Sequence, residues 1–142
     1  MNKWILLLIT AVLLVGCSNS GSEAGTEDNN KNGSGGDSYR QISTSEAAEL
    51  METEEGYIIL DVRTPDEFRE RHIPGAINIP NETIGGEAPS ELPDKDQLIL
   101  VYCRSGNRSK QAAAKLSDMG YVNIVEFGGI NDWTGETTAG DE

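Results

Sequence analysis

The chain has 142 residues, enough for one domain and little else. Its 24 acidic and 11 basic residues give a formal net charge of -13, which excludes a general nucleic-acid binder because little here would neutralise phosphates. Local positive charge in an acidic chain indicates a small anionic ligand, although ordinary solvated surface charge accounts for most such residues. Six basic residues flank two short central segments: Arg63, Arg69, Arg71, Arg104, Arg108 and Lys110.

The first residues predict a secretory leader. Lys3 supplies a positive start, and residues 5–15 form an apolar run that only Thr10 interrupts. A membrane-spanning helix needs about 20 apolar residues, so a transmembrane anchor is the weaker interpretation.

The leader ends in Leu14-Val15-Gly16-Cys17, which resembles the bacterial lipoprotein signal. The resemblance implies that residues 1–16 are a signal peptide and that Cys17 is the lipidation site. Several acyl chains on one residue hold a protein stably to a membrane. We therefore expect an exported protein, anchored to the extracytoplasmic face of a bacterial membrane. The alternative is an ordinary signal peptide followed by a coincidental cysteine.

Residues 17–38 comprise Cys17 and a linker rich in Ser, Gly, Asn and acidic residues. Such a segment buries too little apolar surface to offset its ordering entropy, so we expect it to be disordered. A flexible tether of this length has a reach of roughly 25 Å. The folded domain is predicted over residues 39–136, and the polar residues 137–142 are predicted to form a disordered tail.

The first half of the domain predicts helices and strands in alternation. Ser43-Thr44-Ser45-Glu46 has capping-box spacing and starts a helix. The apolar, β-branched run over residues 58–62 predicts a buried strand. Thr64-Pro65-Asp66-Glu67 starts a second helix, with a threonine cap and a proline in the first position. Residues 73–80 predict a loop that leads into a short strand.

The second half continues this alternation. Residues 81–96 contain too many helix and strand breakers for more than a short helix. Residues 98–102 predict a buried strand, residues 109–119 a helix that stops at Gly120, and residues 122–127 a last strand. This order predicts an α/β fold, a single domain with a mostly parallel central sheet flanked by helices.

The loop between the strand over 98–102 and the helix over 109–119 carries a cysteine, Cys103. Ligands of open α/β sheets bind at the carboxyl ends of strands, where this residue lies. A tight loop that feeds a helix directs backbone N–H groups inward, and Gly106 and Asn107 suit its unusual backbone angles. These groups, with Arg104 and Arg108, favour thiolate over thiol, so we expect a depressed pKa for Cys103. The alternative is an inert buried cysteine.

The chain resembles the rhodaneses, and in particular their single-domain members. The resemblance covers about residues 39–136 and rests on three motifs in order: Leu60-Asp61-Val62-Arg63 with Glu67-Phe68 and His72-Ile73-Pro74-Gly75-Ala76; the loop Cys103-Arg104-Ser105-Gly106-Asn107-Arg108-Ser109; and Gly128-Gly129-Ile130 with Trp133.

The resemblance implies sulfur transfer through a persulfide on the catalytic residue Cys103. The donor is thiosulfate or a similar small anion, and the acceptor is cyanide or a thiol. Arg104 and Arg108 attract and orient the donor, while the loop amides stabilise the anionic sulfur. No cofactor and no metal are expected. The implied substrate-binding residues are Arg104, Ser105, Gly106, Asn107, Arg108 and Ser109.

Two other functions stay open. The domain is a persulfide carrier or thiol-redox relay that serves a protein sulfur acceptor, or it is a non-enzymatic module that binds a partner or senses oxidants through Cys103. A cysteine phosphatase is disfavoured because four residues, rather than five, separate Cys103 from Arg108. The shorter loop admits the outer sulfur of a donor but not a phosphoryl group.

The sequence departs from the rhodanese pattern at Arg71, where family members often carry glycine. If that position has a positive φ, Arg71 is mildly strained. His72, the ion pair expected between Asp61 and Arg63, and Trp133 are interpreted as structural rather than catalytic.

Overall fold

The structure is a computed structural model, and it describes residues 39–141. The predicted leader, the lipidation site at Cys17 and the linker lie outside the described residues. Among residues 39–141, no helix is both long and apolar enough to cross a membrane.

Five parallel strands form the sheet in the order β1-β5-β4-β2-β3. The predicted α/β fold is therefore confirmed. The elements in chain order are β1 (Arg40–Gln41), α1 (Thr44–Thr53), β2 (Ile58–Asp61), α2 (Pro65–Glu70), β3 (Ile77–Asn78), a 3-10 turn (Asn81–Thr83), β4 (Ile99–Cys103), α3 (Asn107–Asp118) and β5 (Ile124–Gly129).

Both faces of the sheet are covered. Leu60, Val101 and Ile124 belong to one apolar cluster together with Ala112 and Leu116 of α3. The alternate strand positions belong to a second cluster, which includes residues of α1 and α2: Ala47, Ile59, Phe68, Leu100, Val125 and Phe127. Burial on both faces explains why β2 and β4 are continuous apolar runs rather than alternating ones.

The helix starts follow local side-chain chemistry. Ser43 and Thr64 each form a complete capping box, with Glu46 and Glu67 as the third helical residues. Both predicted starts are therefore confirmed. The helix predicted over 109–119 begins two residues earlier, at Asn107, because Gly106 adopts a left-handed φ of 101° and turns the chain directly into α3.

The tail differs from its prediction. Thr138 exchanges two backbone hydrogen bonds of 2.8 Å with His72, and the Gly140 N–H donates to the Arg69 carbonyl over 2.9 Å. The expectation of disorder over 137–142 is thus wrong for these residues. Polar composition predicted fraying, but backbone pairing does not depend on side-chain polarity.

Arg71 is not strained. Its φ is -168°, which is extended backbone that any residue adopts. Arginine in place of the usual glycine therefore causes no backbone strain here. It adds a long cationic side chain at a position where glycine has no side chain.

Candidate functional site

The candidate site lies where β4 ends and α3 begins. Cys103 is the last residue of β4 and is 1% exposed. The turn that follows depends on Gly106, because an L side chain rarely adopts its φ of 101°. The sulfur therefore sits at the floor of a short loop, as the sequence predicted.

Loop groups surround the sulfur. The Gly106 N–H donates to the Cys103 Sγ over 3.1 Å, and the Ser109 Oγ lies 3.4 Å from it. Burial alone would raise the pKa of Cys103. Hydrogen bonding by the Ser109 hydroxyl, when its proton points to the sulfur, and by the backbone of Ser109, Ser105 and Gly106 outweighs burial and lowers the pKa. The site therefore favours a thiolate more than an isolated buried cysteine does.

The loop rests directly on the backbone of β5. A methyl group at Gly129 would overlap the Arg104 carbonyl group and lie 2.5 Å from the Ser105 nitrogen. The Ile130 N–H donates to the Cys103 carbonyl over 2.9 Å, which closes the contact. This close approach explains the glycine at position 129, while Gly128 is explained by its left-handed φ of 85°.

Arg108 is placed differently from the expectation. Its guanidinium donates to both carboxylate oxygens of Glu67, over 2.7 and 2.9 Å, instead of facing an open site. The Arg108 side chain holds the pKa of Glu67 down to about 2, and Glu67 raises the pKa of Arg108. Arg108 thus ties α3 to α2, and much of its charge is neutralised there.

An open groove of about 250 Å³ lies beside the loop. Arg71 and Arg104 are its exposed cations, and neither forms an ion pair with any residue between 39 and 141. The Arg71 Nη2 donates to the Ile130 carbonyl over 3.5 Å. The groove is lined by Arg63, Glu67, Glu70, Arg71, Arg104, Ile130 and Asn131.

Sequence reasoning named Arg71 among six basic residues that indicate a small anionic ligand and as a departure from the rhodanese pattern, but it did not assign Arg71 to the site. Its position directly before the His72 motif gave no sign that it would reach Ile130, 59 residues later. Sequence reasoning also missed Glu126, a buried carboxylate of β5 whose Oε1 accepts a 2.6 Å hydrogen bond from the Ser109 hydroxyl. An acidic residue shortly before a glycine pair was the available signal.

The other predicted loop residues divide by exposure. Ser105 and Asn107 face solvent, whereas Gly106 and Ser109 are buried. The Ser105 backbone contributes to the sulfur environment, and the Asn107 Oδ1 accepts a 3.5 Å hydrogen bond from Gln111. Loop amides and the Ser109 hydroxyl therefore surround the sulfur, while polar side chains line the rim.

With this geometry established, comparison with known proteins identifies the family. The profile of the rhodanese-like domain matches residues 43–136. The chain belongs to the rhodanese-like domain family.

Its rhodanese-like relatives include the thiosulfate sulfurtransferase PspE of Escherichia coli, 40% identical over 73 residues, which covers 51% of this chain and 70% of PspE. A sulfurtransferase of Allochromatium vinosum is 36% identical over 66% of this chain and 86% of its own length. A solved structure of a rhodanese with anions from E. coli is 36% identical, with a TM-score of 0.55 over 59% of this chain and 99% of that chain.

Some rhodanese-like relatives are much longer. The chain spans 24% of the adenylyltransferase and sulfurtransferase UBA4 of Candida albicans, at 35% identity. The match to this relative therefore concerns the rhodanese-like domain and only a part of the longer protein.

The residues interpreted as structural lie within the rhodanese core. Arg63 and Asp61 form an ion pair of 2.6 Å in which the Asp61 side chain is fully buried. His72 is fully buried, stacks on the Phe68 ring at 3.8 Å, and its Nδ1 lies 2.9 Å from the Phe68 carbonyl. Trp133 packs against Phe127, with ring centroids 6.0 Å apart. None of the contacts found for these side chains within residues 39–141 involves Cys103.

Within residues 39–141, the structure contains no group of three or more His, Cys, Asp or Glu residues that could hold a metal ion.

Proposed function

We propose that this domain is a sulfurtransferase that carries sulfane sulfur as a persulfide on Cys103. The observation that carries the proposal is the sulfur environment, a buried Sγ within hydrogen-bond distance of the Gly106 N–H and the Ser109 hydroxyl. Preorganised donors of this kind stabilise a thiolate and equally the terminal anionic sulfur of a persulfide.

In the first half-reaction, the Cys103 thiolate attacks the outer sulfur of thiosulfate. A new S–S bond forms on Cys103 as the bond between the two thiosulfate sulfurs breaks, and sulfite leaves with the bonding electron pair. No general base is needed, because the attacking group is already ionised and the leaving group is already an anion.

In the second half-reaction, a nucleophile attacks the terminal sulfur of the persulfide. Cyanide leaves as thiocyanate, and a thiolate acceptor leaves as its own persulfide. In both cases the Cys103 thiolate is regenerated with its electron pair, so the cycle needs no external oxidant or reductant.

The donor is attracted by the cations of the groove. Arg71 and Arg104 are exposed beside the loop and form no ion pair within the described residues, and the carboxylates that line the same groove are Glu67, which is paired with Arg108, and Glu70. Thiosulfate carries two negative charges, so its sulfite part suits these guanidinium groups while its outer sulfur enters the loop. Arg108 contributes by holding α3 against α2 through Glu67.

The mass of the intact protein after incubation with thiosulfate tests this proposal. A gain of one sulfur atom, reversed by cyanide with release of thiocyanate, is the expected result. An adduct that forms but resists cyanide and small thiols would instead favour a carrier for a protein acceptor. The absence of any adduct would favour a binding or sensing module.

We propose further that the short loop excludes phosphoryl transfer. Only four residues separate Cys103 from Arg108, and the loop is held on the β5 backbone with no space for a methyl group at Gly129. We expect no Cys103-dependent hydrolysis of aryl phosphates under conditions where sulfur transfer is readily measured. Phosphate release that disappeared in Cys103→Ser would contradict this.

The location of the protein is a separate proposal. We propose that Cys17 is acylated after cleavage of residues 1–16 and anchors the domain to the extracytoplasmic face of a bacterial membrane. The lipoprotein-like sequence Leu14-Val15-Gly16-Cys17 supports it. Wild-type protein should partition into detergent, and Cys17→Ser should remain unprocessed. Recovery of untreated wild type in the aqueous phase alone would refute the anchor.

A further inference from the structure

Glu126 is a buried carboxylate next to the sulfur loop. It is 2% exposed and forms no ion pair with any residue from 39 to 141. Its Oε1 accepts 2.6 and 2.8 Å hydrogen bonds from the Ser109 hydroxyl and the Gly128 N–H. Burial penalises an ionised group, so a buried carboxylate with only neutral donors requires an explanation.

The position is one that an apolar residue would ordinarily fill. Glu126 pairs with Val101 of β4 and lies two residues after Ile124, and both of these neighbours belong to the apolar cluster that α3 covers. A Cβ atom at Gly106 would lie 3.9 Å from the Glu126 Oε1. The carboxylate therefore occupies a core position immediately beneath the turn that surrounds the sulfur.

The Ser109 hydroxyl links Glu126 to Cys103, but it has only one proton to donate. Its Oγ lies 2.6 Å from the Glu126 Oε1 and 3.4 Å from the Cys103 Sγ. The Gly106 and Gly128 carbonyl oxygens lie 3.0 and 3.3 Å from the same Oγ. The carboxylate is the nearest acceptor, and it takes the proton because charged acceptors form the stronger hydrogen bonds. Ser109 then presents a lone pair to the sulfur, so the Cys103 thiol is the donor in that contact.

Other charges near the sulfur are compensated or exposed. Arg108 is paired with Glu67, Arg63 is paired with Asp61, and Arg104 lies in solvent at the mouth of the loop. Glu126 is the buried anion of the described site with no cation beside it. Lys115 of α3 is partly buried and donates to the carbonyl and Oδ1 of Asn81. The exposed charged residues on the neighbouring elements are Arg40 on β1, Glu46, Glu49 and Glu52 on α1, Glu82 on the 3-10 turn, and Lys110 and Asp118 on α3.

We propose that Glu126 is a positioning residue that holds the Ser109 proton and so restrains conversion of the Cys103 thiol to the thiolate. The loop amides favour the thiolate, whereas Glu126 opposes it in two ways, by removing a donor from the sulfur and by placing a like charge nearby. The inference deepens the proposed sulfur transfer because it concerns the reactivity of the same sulfur. The thiolate fraction governs attack on a donor and also oxidation of the cysteine, so Glu126 limits both.

The test is the pH dependence of Cys103 alkylation by iodoacetamide in the full chain. The modified Cys103 peptide is quantified by mass spectrometry, which separates it from Cys17. Glu126→Gln keeps an oxygen that accepts from Ser109 and Gly128 but removes the charge. We expect its alkylation midpoint to fall by about one pH unit, equivalent to a roughly tenfold faster reaction below the midpoint. An unchanged or higher midpoint would overturn the proposal.

Ser109→Ala, alone and combined with Glu126→Leu, tests the hydrogen-bond link. In the presence of Glu126, loss of the hydroxyl should move the midpoint little, because its proton is already committed to the carboxylate. In the Glu126→Leu background the side chain no longer accepts from the hydroxyl, which can then donate to the sulfur, so loss of the hydroxyl should raise the midpoint. Equal shifts in both backgrounds would show that Glu126 does not act through Ser109, which contradicts the proposal.

Glu126→Leu provides a second neutral variant, suited to the apolar face, if glutamine impairs folding. Its midpoint should also fall, and thermal unfolding by circular dichroism checks that each variant is folded. Alkylation requires no sulfur donor, so its outcome is independent of whether Cys103 accepts sulfur from thiosulfate. A shifted midpoint without a sulfur adduct would refute the proposed sulfur transfer alone.

Discussion

The carboxyl ends of β2 and β4 are neighbours in the sheet, and each holds a buried ionisable group in a different way. At the end of β2, Asp61 accepts hydrogen bonds from the Arg63 backbone and guanidinium, and Arg63 also donates to the Arg71 carbonyl over 2.6 Å. At the end of β4, the buried group is the Cys103 sulfur, and it accepts a hydrogen bond from the loop backbone rather than from a guanidinium. A complete ion pair stabilises the fold, whereas donors grouped around one nucleophile leave capacity for an incoming anion.

The sharpest test of this contrast is Cys103→Ser. Serine cannot form a persulfide, so we expect complete loss of the sulfur adduct and of thiosulfate:cyanide turnover, with unfolding little changed. Intact mass and thiocyanate release measure the two activities, and Cys17→Ser is the matched cysteine control that should retain the adduct. Normal turnover by Cys103→Ser would show that the sulfur chemistry lies elsewhere.

At the other strand end, Asp61→Asn should act on stability. Removing one partner of a buried ion pair leaves the Arg63 charge uncompensated, which destabilises proteins by about 3–5 kcal/mol. Urea unfolding measures the loss. Asp66→Asn breaks an exposed pair with Arg69, in which the Asp66 side chain is 87% exposed, and it should change stability by less than about 0.5 kcal/mol. Equal losses of stability in the two variants would show that the buried pair at Asp61 contributes no more to the fold than an exposed pair does.

The groove cations should affect binding more than chemistry. Arg104→Gln and Arg71→Gln are each expected to raise the KM for thiosulfate several-fold with kcat nearly unchanged, and high salt should reproduce part of the effect by screening. Lys110→Gln removes an equal charge outside the groove and serves as the control. A KM unaffected by both arginine substitutions would mean that the donor approaches from another direction.

The smallest effect is expected at the ion pair between Glu67 and Arg108. The pKa of Glu67 is about 2 in the folded protein and near 4.5 without its partners. Its contribution to stability is therefore present above pH 4.5 and is lost as the pH falls toward 2. For a half-buried pair we expect roughly 1 kcal/mol. Measured by urea unfolding across this range, the free energy of unfolding should depend less on pH in Glu67→Gln than in wild type. An equal pH dependence would contradict the low pKa of Glu67.

Local patterns carried most of the fold prediction. The capping boxes at Ser43 and Thr64 and the apolar runs of β2 and β4 depend on residues a few positions apart, so the sequence displays them directly. β1 was missed because it has only two residues, and it is a strand only through its pairing with β5.

The site was predicted where one segment supplies it and missed where distant segments meet. The loop from Cys103 to Ser109 is continuous, so its position and its sulfur-directed amides were foreseeable. The bond from Arg108 to Glu67 spans 41 residues, and the bond from Ser109 to Glu126 spans 17. Local spacing shows neither, and both change what the loop residues do.

The pairing of the tail with His72 changes where the working unit ends. The family match stops at residue 136, before Thr138 and Gly140, and it begins at residue 43, after β1. A fragment cut to the matched range would lack the two hydrogen bonds that the His72 backbone exchanges with Thr138, and the sheet would lose the edge strand β1. The segment from α2 to His72 would then have lost its contacts with the tail, and α2 carries Glu67, the partner of Arg108. We therefore expect a fragment that folds as stably as this domain to extend beyond the family match at both ends.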